Sequence, residues 1–171
     1  IQIKLVEYST QQQASTLVAG DVNIRIVREP VHHADLKTVS LFHEHYCVAL
    51  SATSPLAKKK KVSLKDLADL RMIGYPSHDN KKSTRTLFRD FFARFGLRLA
   101  EGYEEVTTVH SALALVASGR GFSPVPMSQT LMRMTGVAYR NFEEEAPRLS
   151  VGLAWLKGQD SPILESFVAL A

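Results

Sequence analysis

Three groups of residues have types and spacing that could do chemistry. Thr10 places a hydroxyl at the start of a segment that reads as a helix, and Arg28 follows the apolar run Val22–Val27. An arginine, a hydroxyl and helix N-terminal amides converge on a carboxylate, because bidentate charge-assisted bonds and the helix dipole favour the same anion. Arg28 reads equally well as a surface arginine paired with Glu29, with Thr10 an ordinary cap. The second group lies in Arg71–Gly96, where a short apolar run (Met72, Ile73, Tyr75) ends at Pro76 and a polar loop, Ser77–Lys82, leads into a helix. Strand, polar loop and helix N-terminus present unpaired N–H groups to an anion at the carboxyl end of a strand. The third group is His43, His45 and Cys47, which an unbroken strand would place on one face. A closed zinc site needs a fourth ligand; His32 and His33 lie in a loop of unknown direction, so no metal is expected.

Other chemistry is argued down. Gly119-Arg120-Gly121 follows a helix and precedes a strand, the reverse of a dinucleotide fingerprint, and Pro124 stands where the third glycine belongs. Ser123 sits in Gly-Phe-Ser-Pro-Val rather than a nucleophile elbow. Glu143, Glu144 and Glu145 are consecutive in a connector and read as solvated rather than paired for acid–base work. No catalytic residue, cofactor or enzymatic activity is expected.

Those groups need a scaffold, and the chain can supply one. Its 171 residues are 45% hydrophobic, enough for one ordinary domain or two small ones with a real core. The net charge of +4 owes much to Lys58–Lys61, which reads as a solvated loop; no nucleic-acid motif accompanies it. One cysteine rules out an internal disulfide and suits a reducing compartment. Neither a membrane span nor a signal-peptide pattern is visible, so a cytoplasmic protein is expected.

Ile1–Tyr8 alternates like a half-buried strand. With the helix Gln11–Ala19, closed by Gly20, and the strand Val22–Val27, it predicts a parallel βαβ unit. Val39–Phe42 and His45–Leu50 read as two strands, and Ser63–Leu70 as a capped short helix. Ser83 or Thr84 can cap a helix with Leu87, Phe88, Phe91, Phe92 and Phe95 on one face, ended by Gly96. Beyond it come a strand at Gly102–Val106, a helix at Thr107–Ser118, a proline-broken strand at Gly121–Pro126 and a short helix at Met127–Met134. Strands at Gly136–Phe142 and Leu149–Leu156 precede a final helix from Ser161-Pro162. The pattern is α/β.

In this order the segments resemble the effector-binding (regulatory) domain of LysR-type transcriptional regulators, nearly end to end. The resemblance is carried by Glu7-Tyr-Ser-Thr10 before a helix, Ala19-Gly-Asp-Val-Asn-Ile-Arg-Ile-Val27, Leu50-Ser-Ala-Thr-Ser-Pro-Leu-Ala57, Leu64-Lys-Asp-Leu-Ala68 and Leu115-Val-Ala-Ser-Gly-Arg-Gly-Phe-Ser-Pro-Val-Pro126. Tyr75-Pro-Ser77 and Arg28 are similar to the branch controlling breakdown of aromatic compounds, whose effectors include muconate-like dicarboxylates.

The resemblance implies an α/β fold of two Rossmann-like subdomains joined by two crossover strands, like periplasmic solute-binding proteins. Subdomain I would comprise residues 1–44 and 149–171, subdomain II residues 45–148. It implies a small, carboxylated effector in the cleft between them, touched by Thr10 and Arg28 from one side and by Pro76, Ser77 and His78 from the other. It also implies a homodimer or tetramer, no cofactor or membrane partner, and DNA binding only through a domain absent from these residues. Asn23 replaces the usual Asp. The family's first regulatory strand and helix have no counterpart here, and a half-domain without them would expose ladder edges and apolar surface. A transporter's solute-binding protein is the main alternative, and a hydrolase or transferase using the same cleft the lesser one.

Overall fold

The computed structural model of the chain describes residues 2–8, 12–74, 83–159 and 161–170. Strands and helices are interspersed, in chain order α1 (Gln13–Val18), β1 (Ile24–Glu29), β2 (Leu36–Ser51), β3 (Lys61–Val62), α2 (Leu64–Leu67), β4 (Met72–Gly74), α3 (Thr84–Arg94), β5 (Tyr103–Glu105), α4 (Val109–Ala117), β6 (Ser123–Pro126), β7 (Val137–Phe142), β8 (Arg148–Leu156) and α5 (Pro162–Ala169). The chain divides into two compact units, Ile1–His43 with Ser150–Ala171, and Glu44–Leu149. It passes from one unit to the other within β2 and returns at β8.

In the first unit β1 runs antiparallel to β8, with Ile24 opposite Trp155 and Glu29 opposite Ser150. β8 lies beside β2; a Cβ on Gly152 would come within 2.6 Å of the Val39 carbonyl oxygen. Leu17 of α1 packs with Val27, Leu36 and Ala154 to form this unit's core. The parallel βαβ expectation is corrected here, since the partner of β1 is β8. Residues 2–8 form no strand; Ile3 and Leu5 are 67% and 92% exposed. Alternation makes a segment fit for a ladder but does not provide a neighbour to complete it.

The second unit is built on the buried end of β2. Tyr46 to Ala49 pair antiparallel with β6 on one side, and Val48 to Ser51 pair antiparallel with β7 on the other. β7 continues to β3 in parallel, β4 pairs with β5 in parallel, and a single bridge from Met72 to Phe122 sets β4 beside the approach to β6. Cys47, Ala49, Ile73 and Val125 pack under Ala112, Leu113 and Val116 of α4. A separate aromatic cluster joins α3 to β2 and β7 through Tyr46, Phe88, Phe91 and Phe142. Burying each such side chain contributes roughly 1.5–3 kcal/mol.

Two further expectations are corrected. Val39–Phe42 and His45–Leu50 are parts of one strand, because polar side chains at His43 and Glu44 leave the backbone ladder intact while the strand's surroundings change from exposed to buried. Met127–Met134 is instead a 3-10 segment over Met127–Met132, ending at Arg133 in the left-handed region.

The helix predicted after Ser63 is a single turn with a complete capping box, Ser63 accepting from the Asp66 amide and Asp66 from the Ser63 amide. Lys59 Nζ donates to both Asp66 oxygens, at 2.7 and 2.8 Å. That bond, with the Ser63 amide and hydroxyl, holds the Asp66 carboxyl below the usual aspartate range. A depressed folded-state pKa stabilises the fold above the ordinary aspartate pKa, and the contribution disappears as pH falls through the folded-state value. Asp66→Asn should therefore cost about 0.3–1.5 kcal/mol near neutrality and flatten the acid limb of stability against pH. Urea melts at stepped pH check both; an unchanged acid limb would show that Asp66 does not contribute to it.

Candidate functional site

The anion-ready geometry expected in Arg71–Gly96 rests on β4 and α3. Met72, Ile73 and Gly74 lie in register with Tyr103, Glu104 and Glu105, and both strands point their carboxyl ends the same way. The Val106 amide donates to the Gly74 carbonyl at 3.0 Å, which closes that end. Ser83 is the cap of α3, its hydroxyl accepting from the Thr86 amide at 3.1 Å, and Gly96 ends the helix at φ +71. Pro76, Ser77 and His78 lie outside the described residues, as does Thr10.

Gly74 adjoins Tyr103 closely. A Cβ there would stand 2.6 Å from the Tyr103 hydroxyl oxygen, so a side chain at this end of β4 would have to displace the Tyr103 ring. The hydroxyl is buried beside the Glu105 carboxylate. Burial, reinforced by the charge of Glu105, pushes the phenol up to about 12, so it remains a neutral donor at physiological pH. The Arg85 guanidinium lies over its ring, 4.9 Å from the centroid. Nothing in the sequence distinguishes Tyr103 from a core tyrosine.

Arg28 stands near the end of β1, half-buried and opposite Val151. Expected to follow its strand, Arg28 lies within β1, which runs antiparallel to β8 rather than in the parallel unit predicted from the sequence. Glu29, on the opposite strand face, accepts from the Ser40 hydroxyl at 2.8 Å.

Arg25, which sequence reading passed over, is the more heavily bonded arginine. Its Nη1 donates to the Gln12 carbonyl and to Thr16 Oγ1, both at 2.7 Å, and its Nη2 donates to the Tyr8 carbonyl at 3.1 Å. The guanidinium also lies 5.5 Å from the centre of the Tyr8 ring. Desolvation lowers its pKa, against the pull of Tyr8. The available signal was its place two residues before Val27, on the strand face that meets α1.

The remaining candidates resolve individually. His43 Nδ1 and the Ser150 hydroxyl lie 2.8 Å apart. Cys47 is buried, and desolvation pushes its thiol up to about 12, far from a reactive thiolate. Among the described residues no cluster of His, Cys, Asp and Glu could hold a metal ion. Ser123 Oγ is buried with no partner among the described residues. The glutamates read as solvated include one that is not, because both Glu144 oxygens accept from the Leu64 amide, at 3.0 and 3.1 Å, at the start of α2. No described helix is long and apolar enough to cross a membrane.

Comparison with known proteins fits this architecture to a family. The effector-binding domain of BenM with its effector benzoate superposes with a TM-score of 0.79 at 28% identity, over 96% of this chain and 74% of that one. In sequence, BenM of Acinetobacter baylyi, an HTH-type transcriptional regulator, is 33% identical over 141 residues, 81% of this chain and 46% of BenM. The Hca operon transcriptional activator HcaR of Escherichia coli is 25% identical over 170 residues, 98% of this chain and 56% of HcaR. The chain thus spans about half the length of the curated relatives it matches. The fold is the periplasmic-binding-protein-like α/β architecture of such effector-binding domains. The family model for the LysR substrate binding domain matches residues 1–171, and the chain belongs to that family.

Proposed function

We propose that this chain is the ligand-sensing portion of a LysR-type transcriptional regulator that answers a small carboxylated effector of aromatic catabolism. The observation that carries the reading is the family match over residues 1–171, joined to the likeness to BenM's benzoate-bound domain. Its contacts are Thr10 and Arg28 from one unit and Pro76, Ser77 and His78 from the other, with the two units serving as regulatory subdomains I and II. The protein works in the cytoplasm as a homodimer or tetramer, performs no catalysis, and reaches DNA through a domain outside these residues. An effector controls transcription by binding one conformational state better than another, since equal affinity for both shifts nothing.

Calorimetric titration of the chain with benzoate and with cis,cis-muconate tests the reading. Saturable binding is expected to at least one of them, and the absence of any would count heavily against an aromatic-catabolism effector. Arg28→Ala should weaken the binding by more than about 1.5 kcal/mol, the loss of a charged hydrogen bond. An unchanged affinity would remove Arg28 from the site.

A further inference from the structure

We infer that the chain carries a conformational device in which the unit Ile1–His43 with Ser150–Ala171 opens as a whole while Glu44–Leu149 stays folded. Burial is divided unequally between the two. Of the twelve largest fully buried side chains among the described residues, Leu17 alone belongs to the first unit. That unit's core joins Leu17 to Val27, Leu36 and Ala154, with Leu153 and Leu164 buried as well. The second unit has both the α4 cluster and the aromatic cluster of α3. Exposure runs the other way. Ten of the thirteen exposed large hydrophobic side chains among the described residues lie in the first unit, Ile26 at 69% and Leu170 at 88% among them. Apolar burial is the main force set against chain entropy, so the first unit is held closed by the smaller margin.

Local structure points the same way. The first unit's helices, α1 and α5, receive no side-chain cap at their N-termini, whereas Ser63, Ser83 and Thr108 cap α2, α3 and α4 of the second. A six-residue helix such as α1 cannot hold itself together without tertiary packing. The place where opening stops is also marked. Glu44 accepts from the Ser128 amide at 2.8 Å and from its hydroxyl at 3.2 Å, and the Tyr46 amide donates to the Pro147 carbonyl at 3.2 Å. Both passages of the chain are thus tied into the second unit just inside the division. From Tyr46 onward β2 pairs with β6 and β7, which belong to that same unit, so those ladders survive the loss of β1. Cooperative segments of this kind open more readily than the whole molecule unfolds. Any ligand or partner that binds only the closed form holds it shut by mass action.

Hydrogen exchange of the 171-residue chain, followed by mass spectrometry in stepped low urea, tests the inference. The amides of α1, β1 and α5 should share one opening, about a hundredfold more populated than the opening that exposes Cys47–Leu50 and α4. Equal protection across the two sets would overturn the inference, as would three unrelated openings for α1, β1 and α5. Leu17→Ala should make the first unit's opening about tenfold or more as populated as in the parent. Exchange in Cys47–Leu50 and α4 should meanwhile change by less than about twofold. A Leu17→Ala chain that speeds both sets alike, or that loses all protection, would show that the two units fold as one and would overturn the inference too.

Discussion

Phe88→Ala is expected to lower the unfolding free energy of the Glu44–Leu149 unit by about 3–5 kcal/mol. Phe88 lies in the middle of α3 and is fully buried. Its ring meets Tyr46 edge-on at 5.3 Å, Phe91 edge-on at 5.9 Å and Phe142 tilted at 5.8 Å. Those partners come from β2, α3 and β7, so one side chain joins a helix to two strands of the sheet. Aromatic pairs of this geometry contribute about 0.5–1.5 kcal/mol each beyond area burial. Collapse into the vacated space is restricted, because Tyr46 and Phe142 are carried on sheet strands.

Phe95 serves as the comparison on the same helix. It is 48% exposed, and its only ring neighbour among the described residues is Phe91, edge-on at 5.7 Å. Phe95→Ala should cost about 1 kcal/mol. Urea denaturation followed by near-ultraviolet dichroism would report both, the second probe being sensitive to the aromatic packing. Equal midpoints for the two variants would show that the aromatic cluster is not what seats α3.

The contrast within α3 also shows what a sequence can and cannot reveal. The cap at Ser83, the terminator at Gly96 and the buried spacing of Phe88, Phe91 and Phe92 are local properties, and each was readable from neighbours within four positions. Phe95 shares the spacing but lies past the last helical turn, and it is exposed because periodicity carries no information about where a covering element stops. The failures are all non-local. Residues 2–8 alternate but have no ladder partner among the described residues, and β1 pairs with β8, more than a hundred residues away in the chain. Glu144 is a helix-terminus acceptor only because β7 delivers it beside Leu64. At the site, Arg28 was legible as an arginine ending an apolar strand, while its assignment to an effector came from family resemblance. Arg25 escaped because its three acceptors, at Tyr8, Gln12 and Thr16, come together only when α1 folds back on β1.

Gly121→Ala should be comparably damaging, by about 3 kcal/mol, through a different mechanism. A Cβ at Gly121 would stand 2.1 Å from the Arg71 carbonyl oxygen and 3.0 Å from its carbon. The obstacle is backbone, which cannot rotate away as a side chain can. That same carbonyl accepts from the Phe122 amide at 3.0 Å, and the Ile73 amide donates to the Phe122 carbonyl at 2.8 Å. Moving Arg71 aside would therefore break both bonds that seat β4 beside the approach to β6. It would also pull Arg71 from Glu104, which it meets at 2.6 Å and which Arg120 meets at 2.8 Å. Overpacking costs about 1–3 kcal/mol, and a lost buried hydrogen bond adds about 1 kcal/mol. Gly119→Ala separates this steric effect from backbone strain. Gly119 has φ +80 with nothing within 4 Å of its would-be Cβ, so its substitution should cost only about 1–2 kcal/mol of left-handed strain. If Gly119→Ala proves the more destabilising of the two, the close approach at Arg71 is not what holds β4 in place.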